Sequence, residues 1–191
     1  MKIIIVAVSV LILGACRIMV DVDVKPLAYM PPSYSVTEDN TKALKKLGVG
    51  NIDVGAFTKT VEFDNSCRVV AGVIEMPDKM SFEGYIRKAL VEELKQAGLF
   101  DDHAPKITLT GAVEKLSFTT LRTVYLSNWD IGVRLNSSNG KSAYISQHYE
   151  FNAGPGSLAD CQTVADHYML AVQKTIGKLI DAPEFQSLVT P

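Results

Sequence analysis

The stretch Trp129-Asp130-Ile131-Gly132-Val133-Arg134-Leu135, followed by Ser137-Ser138-Asn139-Gly140 and then by Ala143 to Phe151, decides the fold. Trp129, Ile131, Val133 and Leu135 recur at strict period two, and Ala143, Ile145, Tyr149 and Phe151 resume that parity after the polar break. Successive side chains of an extended chain point to opposite sides, so this alternation marks strands with one buried face. Asn139-Gly140 between two such runs predicts a hairpin, because both residues tolerate the positive φ that a tight turn demands.

Upstream, Ile107, Leu109 and Val113 alternate with Thr108 and Thr110, whereas Leu116 and Phe118 carry the opposite parity. A bulge near Glu114-Lys115 restores one buried face. Ser81 stands where an N-cap belongs, and Phe82, Ile86, Ala89, Leu90, Leu94 and Ala97 fall on one helical face. Glu83 and Arg87 are spaced to pair on the opposite side and Gly98 supplies a stop, so a helix is predicted over 81–97. Ile52–Phe57 and Cys67–Glu75 are short, rich in Val, Ile and Ala, and bounded by Gly, Asp and Pro; they read as strands. After Gly154-Pro155-Gly156, a helix over 158–181 places Cys161, Val164, Ala165, Tyr168, Val172, Ile176 and Leu179 on one stripe, and Pro183 ends it. This order predicts an α+β fold in two layers, a mainly antiparallel sheet with two long helices packed on one face.

The first residues carry a different message. Met1-Lys2 leads into the uncharged run Ile3–Leu13 and the small pair Gly14-Ala15, which is a signal peptide in outline. A spanning helix needs roughly 20 apolar residues, and Arg17 stops this run short. Leu13-Gly14-Ala15-Cys16 resembles the lipobox of bacterial lipoproteins, in which the cysteine is diacylated through its sulfur and becomes the new N-terminus. The competing reading is a buried first element of a domain that happens to end in Cys. The resemblance implies cleavage before Cys16 and lipidation of Cys16. Each buried acyl methylene contributes about 0.8 kcal/mol, so such anchoring is effectively permanent. Residue 17 is Arg rather than the Asp that resembles an inner-membrane retention signal in enteric-type bacteria, which points to the periplasmic face of the outer membrane, with the inner membrane as the alternative. The chain then divides into a signal peptide over 1–15, a lipidated N-terminus and tether over 16–48, and a single α+β domain over 49–191. Within the tether, Val20, Val22 and Val24 suggest an edge strand and Asn40–Leu47 a short helix.

Removal of residues 1–15 from the 191-residue chain leaves 176, within the range of one domain. Lys2 leaves with the signal, so 19 basic residues become 18 against 21 acidic ones. A mildly acidic domain offers no field for nucleic acid, and the Lys42, Lys45, Lys46 cluster reads as the solvated face of a helix. With Cys16 assigned to lipid, Cys67 and Cys161 remain as a pair in an oxidising compartment, which favours a disulfide; two buried free thiols are the alternative. In the chain-entropy model, a loop of about 95 residues closed in this way contributes roughly 4 to 5 kcal/mol. No Cys-x-x-Cys or His-x-x-x-His spacing suggests a metal.

No constellation for catalysis emerges, and neither an enzyme nor a cofactor is expected. His103 follows Asp101-Asp102 in a polar loop, His148 lies on the strand face opposite Ile145, and His167 is on the last helix. No Gly-x-Ser-x-Gly elbow occurs, and Gly48-Val49-Gly50-Asn51 lacks the rest of a phosphate loop. Asp101-Asp102 lacks the further oxygens of a calcium site, and Asn136-Ser137-Ser138 matches a glycosylation sequon that a bacterial lipoprotein seldom uses. The polar parity of the hairpin, Arg134, Ser142, Ser146, His148 and Glu150, fits a partner-binding face; it equally fits the solvated side of a one-sided sheet. An apolar groove for an acyl chain is indistinguishable here from a packed core.

Taken in order, the lipobox Leu13–Cys16, the helix ending Leu94-Lys95-Gln96-Ala97-Gly98, the hairpin Trp129–Phe151 with Asn139-Gly140-Lys141, and Val164–Ile180 followed by Pro183-Glu184-Phe185 resemble small bacterial outer-membrane lipoproteins of the YajG class. They resemble more loosely the auxiliary lipoproteins of envelope lipid-transport systems. The Cys67/Cys161 pair and the Ser157–Gln162 entry fall outside that pattern. The resemblance implies a membrane-attached envelope protein without known catalytic activity, acting by non-covalent contact with an envelope protein, or alternatively serving lipid transport. It transfers no site residue beyond Cys16.

Overall fold

The computed structural model describes residues 26–67, 72–120, 126–152 and 161–191. The signal peptide, Cys16, the strand expected around Val20–Val24 and the first residues of the helix expected from 158 lie outside the described residues. In chain order the elements are β1 (Leu27–Tyr29), α1 (Glu38–Lys46), β2 (Ile52–Lys59), β3 (Ser66–Cys67), β4 (Gly72–Ile74), α2 (Phe82–Ala97), β5 (Ile107–Thr120), β6 (Leu126–Ser137), β7 (Ser142–Asn152), α3 (Cys161–Asp181) and α4 (Pro183–Val189). The fold is α+β. The main sheet has the order β2-β5-β6-β7, antiparallel except that β2 runs parallel to β5.

The period-two row of β6 does what its sequence demands: Trp129, Ile131 and Leu135 are fully buried and Val133 nearly so. β5 reaches β6 through a register shift between Val113 and Lys115, the bulge that the parity change predicted. The β6–β7 hairpin is present, but its turn differs from the expected one. Only Gly140 takes a positive φ, 84°, while the Gly140 N–H donates to Ser137 O and the Ser137 N–H to Lys141 O. This is a turn closed by a glycine bulge, which spares Asn139 the left-handed conformation. Asn139 serves another purpose: its Nδ2 donates to Ser187 O at 2.9 Å and Thr190 O at 2.8 Å, tying the hairpin tip to the end of α4. That helix begins at Pro183, which opens a new helix at its first position as well as ending α3.

Over the sheet lie α2 and α3. Ser81 Oγ accepts from Gly84 N–H and Gly98 closes α2 at φ 76°, as the sequence indicated. The expected Glu83–Arg87 pair does not form. Arg87 turns to the sheet edge and donates to Val54 O at 2.6 Å and Gly55 O at 2.7 Å, because β2 passes close beneath it and the bulge there leaves carbonyls to satisfy. The Trp129 indole N–H donates to Val164 O at 2.9 Å, and its ring packs with Phe118 and Tyr168 at centroid distances of 4.9 and 4.8 Å.

The run Cys67–Glu75, expected as one strand, is two: β3 pairs antiparallel with β4, and β1 adds parallel on the other side to make a second, three-stranded sheet. Gly72 permits this, since the Tyr29 ring occupies the space a Cβ would need. Cys67 is joined by a disulfide to Cys161 at the start of α3, with Cα atoms 5.9 Å apart.

The segment expected as tether is docked from Leu27 onward. It crosses the outer side of the helices, with Tyr85 Oη donating to Pro32 O at 2.8 Å and Gln173 Nε2 to Ser35 O at 2.7 Å. α1 then packs on both α2 and α3. Asn40 is the pin: its Nδ2 donates to Glu93 Oε1 at 3.1 Å and to Gln173 O at 3.3 Å, while its Oδ1 faces Gly177 where a Cβ would lie 2.8 Å away. Gly177→Ala gains helix propensity of about 1 kcal/mol, but displacing Asn40 forfeits buried hydrogen bonds that cost about 1 to 3 kcal/mol when lost. Chemical denaturation is expected to show Gly177→Ala destabilising in the native background and stabilising in an Asn40→Ala background. The same sign in both backgrounds would contradict the pin.

Candidate functional site

Because the odd-numbered residues of β6 face inward, its even-numbered polar residues face away from the helices and meet their neighbours across the strands. Asp130 pairs in register with His148 on β7 and Ser117 on β5. The bulge in β5 lets consecutive residues Glu114 and Lys115 both serve this outer face. Lys115 Nζ lies 3.1 Å from Asp130 Oδ1, His148 Nδ1 lies 3.0 Å from the same oxygen, and Asn128 Nδ2 donates to Asp130 Oδ2 at 2.8 Å. Glu150 Oε1 approaches His148 Nε2 at 3.3 Å. Beside this cluster Arg134 grips Glu114 with both arms, Nε to Oε1 at 2.7 Å and Nη2 to Oε2 at 3.1 Å, and its guanidinium lies 5.2 Å from the Tyr144 ring. The Tyr144 ring covers Gly132, which leaves it 44% exposed on an ordered polar surface.

The charges on this face sustain one another. Partial burial works to raise the Asp130 carboxyl, but hydrogen bonds from His148 and Lys115 and their charges outweigh it, and the group sits below its usual range. His148 is raised above the ordinary imidazole value, first by its hydrogen bond to Asp130 and then by that to Glu150. Arg134 is raised by its hydrogen bonds to Glu114.

The other expected positions lie elsewhere. His167, on α3, stacks on Phe151 at 4.1 Å and meets Tyr149 Oη at 3.1 Å through Nδ1; burial lowers it despite the nearby Asp166. His103 is on an exposed turn whose backbone N–H, with that of Ala104, donates to Asp101 Oδ1. Asp101 is lowered by these backbone hydrogen bonds, Ala104 first, and then by Asn51, whose Nδ2 occupies Oδ2 at 2.6 Å. The three histidines are thus dispersed over a turn, the outer sheet face and the helix–sheet boundary. Among the described residues no His, Cys, Asp or Glu group is arranged to hold a metal, and no helix is long and apolar enough to cross a membrane.

Glu93 escaped the sequence reading. It lies fully buried on α2, where Oε1 accepts from Tyr34 Oη at 2.7 Å, Thr37 N at 3.0 Å and Asn40 Nδ2, while Oε2 has no protein partner. Burial, then the hydrogen bond to Glu93, pushes the Tyr34 phenol far above its ordinary range. The signal was present: Glu93 follows Ile86 by seven residues, on the same apolar stripe as Leu90 and Ala97. Outside this hub, α1 and α3 border a polar cleft of about 430 Å³ that includes Asp39, Lys174 and Asp181. Between helices and sheet the apolar void lined by Ile86, Leu90, Val133 and Ile176 is only about 10 Å³.

No family model matches the chain, and no curated protein does. Its structure is similar to the crystal structure of protein XCC0632 from Xanthomonas campestris, of the DUF330 family, at 10% sequence identity and a TM-score of 0.46, covering 80% of this chain and 91% of that one.

The outer face generates a pH prediction. A raised His148 stabilises the fold fully below its unfolded value of about 6.5, and that contribution is lost as pH rises through the higher folded value. A lowered Asp130 contributes above its unfolded value of about 3.9 and is lost as pH falls through the lower folded one. NMR titration of the imidazoles is expected to place His148 above, and His167 below, the ordinary value, with Asp130→Asn returning His148 towards it. An unmoved His148 midpoint in that variant would refute the coupling.

Proposed function

We propose that the chain is a lipid-anchored envelope lipoprotein of the YajG-like class, held by lipid on Cys16 at the periplasmic face of the outer membrane. Its domain acts by non-covalent contact with an envelope protein through the outer face of β5, β6 and β7. The observation that carries this reading is the ordered polar surface built on Asp130, His148, Lys115, Arg134 and Tyr144. Tyr144 offers an aromatic ring at its centre and Arg134 a charge already oriented by Glu114, the residue types on which protein contacts concentrate their binding energy. Among the described residues, the apolar void between helices and sheet lined by Ile86, Leu90, Val133 and Ile176 is about 10 Å³, room for no more than a water, so an acyl chain enters there only if the core opens.

In-cell photocrosslinking tests the reading. A photoreactive residue at Tyr144 is expected to capture one reproducible envelope protein, and one at Lys88 on the exposed side of α2 is not; Asp130→Arg should abolish the Tyr144 adduct. Equal capture from both positions, or an adduct indifferent to Asp130→Arg, would overturn the outer-face assignment. Cys16→Ser is expected to leave an uncleaved, unlipidated precursor, and normal processing of that variant would end the anchoring claim.

A further inference from the structure

We infer that the end of the domain bearing exposed Leu27, Met30 and Leu126 rests on the lipid surface that holds Cys16, with the β6–β7 turn pointing away from it. The inference builds on the lipid anchor proposed above. Leu27, Met30 and Leu126 are 60%, 51% and 46% exposed. Scattered apolar residues are ordinary on any surface, but these three gather around the start of α3. Leu27 pairs with Gly72, which pairs with Cys67, and Cys67 is bonded to Cys161, the first residue of α3. Met30 O accepts from Gln162 Nε2 at 3.1 Å. Leu126 pairs with Asn152, next to the Phe151 that stacks on His167.

The described chain begins at this same end, at residue 26. Only residues 17–26 separate Cys16 from Leu27, a span of at most about 40 Å when fully extended. The segment lengthens by unpeeling only at the loss of the β1–β4 pairing, the hydrogen bond of Gln162 to Met30 O and that of Tyr85 to Pro32 O, and after those the contacts of Tyr34, Thr37 and Asn40 with buried Glu93. The opposite end, with Asn139 and α4, lies a whole strand away: β6 has 12 residues, about 40 Å of extended chain. Resting the far end on the bilayer would demand a tether stretched over the full length of the molecule. Resting the near end leaves slack and buries apolar side chains at their usual gain. The outer face of β5–β7 then stands beside the bilayer, open to a partner. Lys59, Glu62 and Asp64 are exposed together near this end, a mixed set of charges with no basic excess for anionic headgroups, so the adhesion comes from apolar contact and tethering and depends little on salt.

The test uses full-length lipidated protein in vesicles of phosphatidylethanolamine and phosphatidylglycerol, with and without brominated acyl chains. Trp129 is fully buried and provides a constant background. The added emission of Leu27→Trp and Leu126→Trp is expected to be lost on bromination, and that of Lys141→Trp at the far turn is not; Met30→Trp replaces either near-end variant that fails to fold. Vesicle flotation with no quenching at the near end, or quenching at Lys141→Trp instead, overturns the inference while leaving the anchor intact. Failure to float overturns the anchor and the inference together.

Discussion

The inner row of β6 is the constraint from which the rest of the structure follows. Trp129, Ile131, Val133 and Leu135 lie between two neighbouring strands and under two helices, and nothing in the sheet can shift by one residue without turning the whole row out to water. The Trp129 indole adds direction to this burial, because its N–H must find an acceptor in the core and finds Val164 O, which fixes where α3 lies along the sheet. The same parity dictates the opposite face. Asp130, Arg134, His148 and Glu150 gather on the outer side because they alternate with the residues that cannot leave the inner one.

A second layer of order comes from polar groups rather than apolar area. Apolar contact holds the strap from Leu27 to Lys46 chiefly through fully buried Leu44 and the partly buried Tyr29 and Tyr34, while Leu27, Met30 and Val36 remain exposed. Its position is set by Glu93, whose buried oxygen gathers a phenol, an amide side chain and a backbone N–H from the strap. Such an arrangement costs desolvation and is therefore a poor source of stability, but it penalises every alternative register of the strap. Gly177 completes the device by letting Asn40 come close enough to bridge α1, α2 and α3.

Much of this was legible in the sequence, where local rules and tertiary structure agree. The hairpin, the change of parity at Glu114-Lys115, the caps at Ser81 and Gly98 and the apolar stripe of α3 each rest on periodicity or on one residue's conformational preference. What was not legible depends on contacts between distant segments. Asn139 looks like a turn residue and is one, yet its side chain belongs to α4. Arg87 has an ideal helical partner in Glu83 and prefers β2 carbonyls that no local rule foresees. The second sheet takes a third strand, β1, from a segment that reads as tether, a parallel pairing with β4 that no local rule foresees. Of the candidate face, the residues were visible and their coupling through Asp130 was not, because it requires the register of three strands at once.

The strap from Leu27 to Lys46 is an integral part of the domain, packed on α2 and α3 and held to buried Glu93, rather than a tether leading to it. Native-state hydrogen exchange of the full chain tests this most directly. Amides of α1 are predicted to be protected together with those of the mid-section of α2 around Glu93, opening in one cooperative unit. Exchange of α1 at the rate of free chain while α2 remains protected would contradict the account, and would return residues 27–47 to the role of a flexible tether.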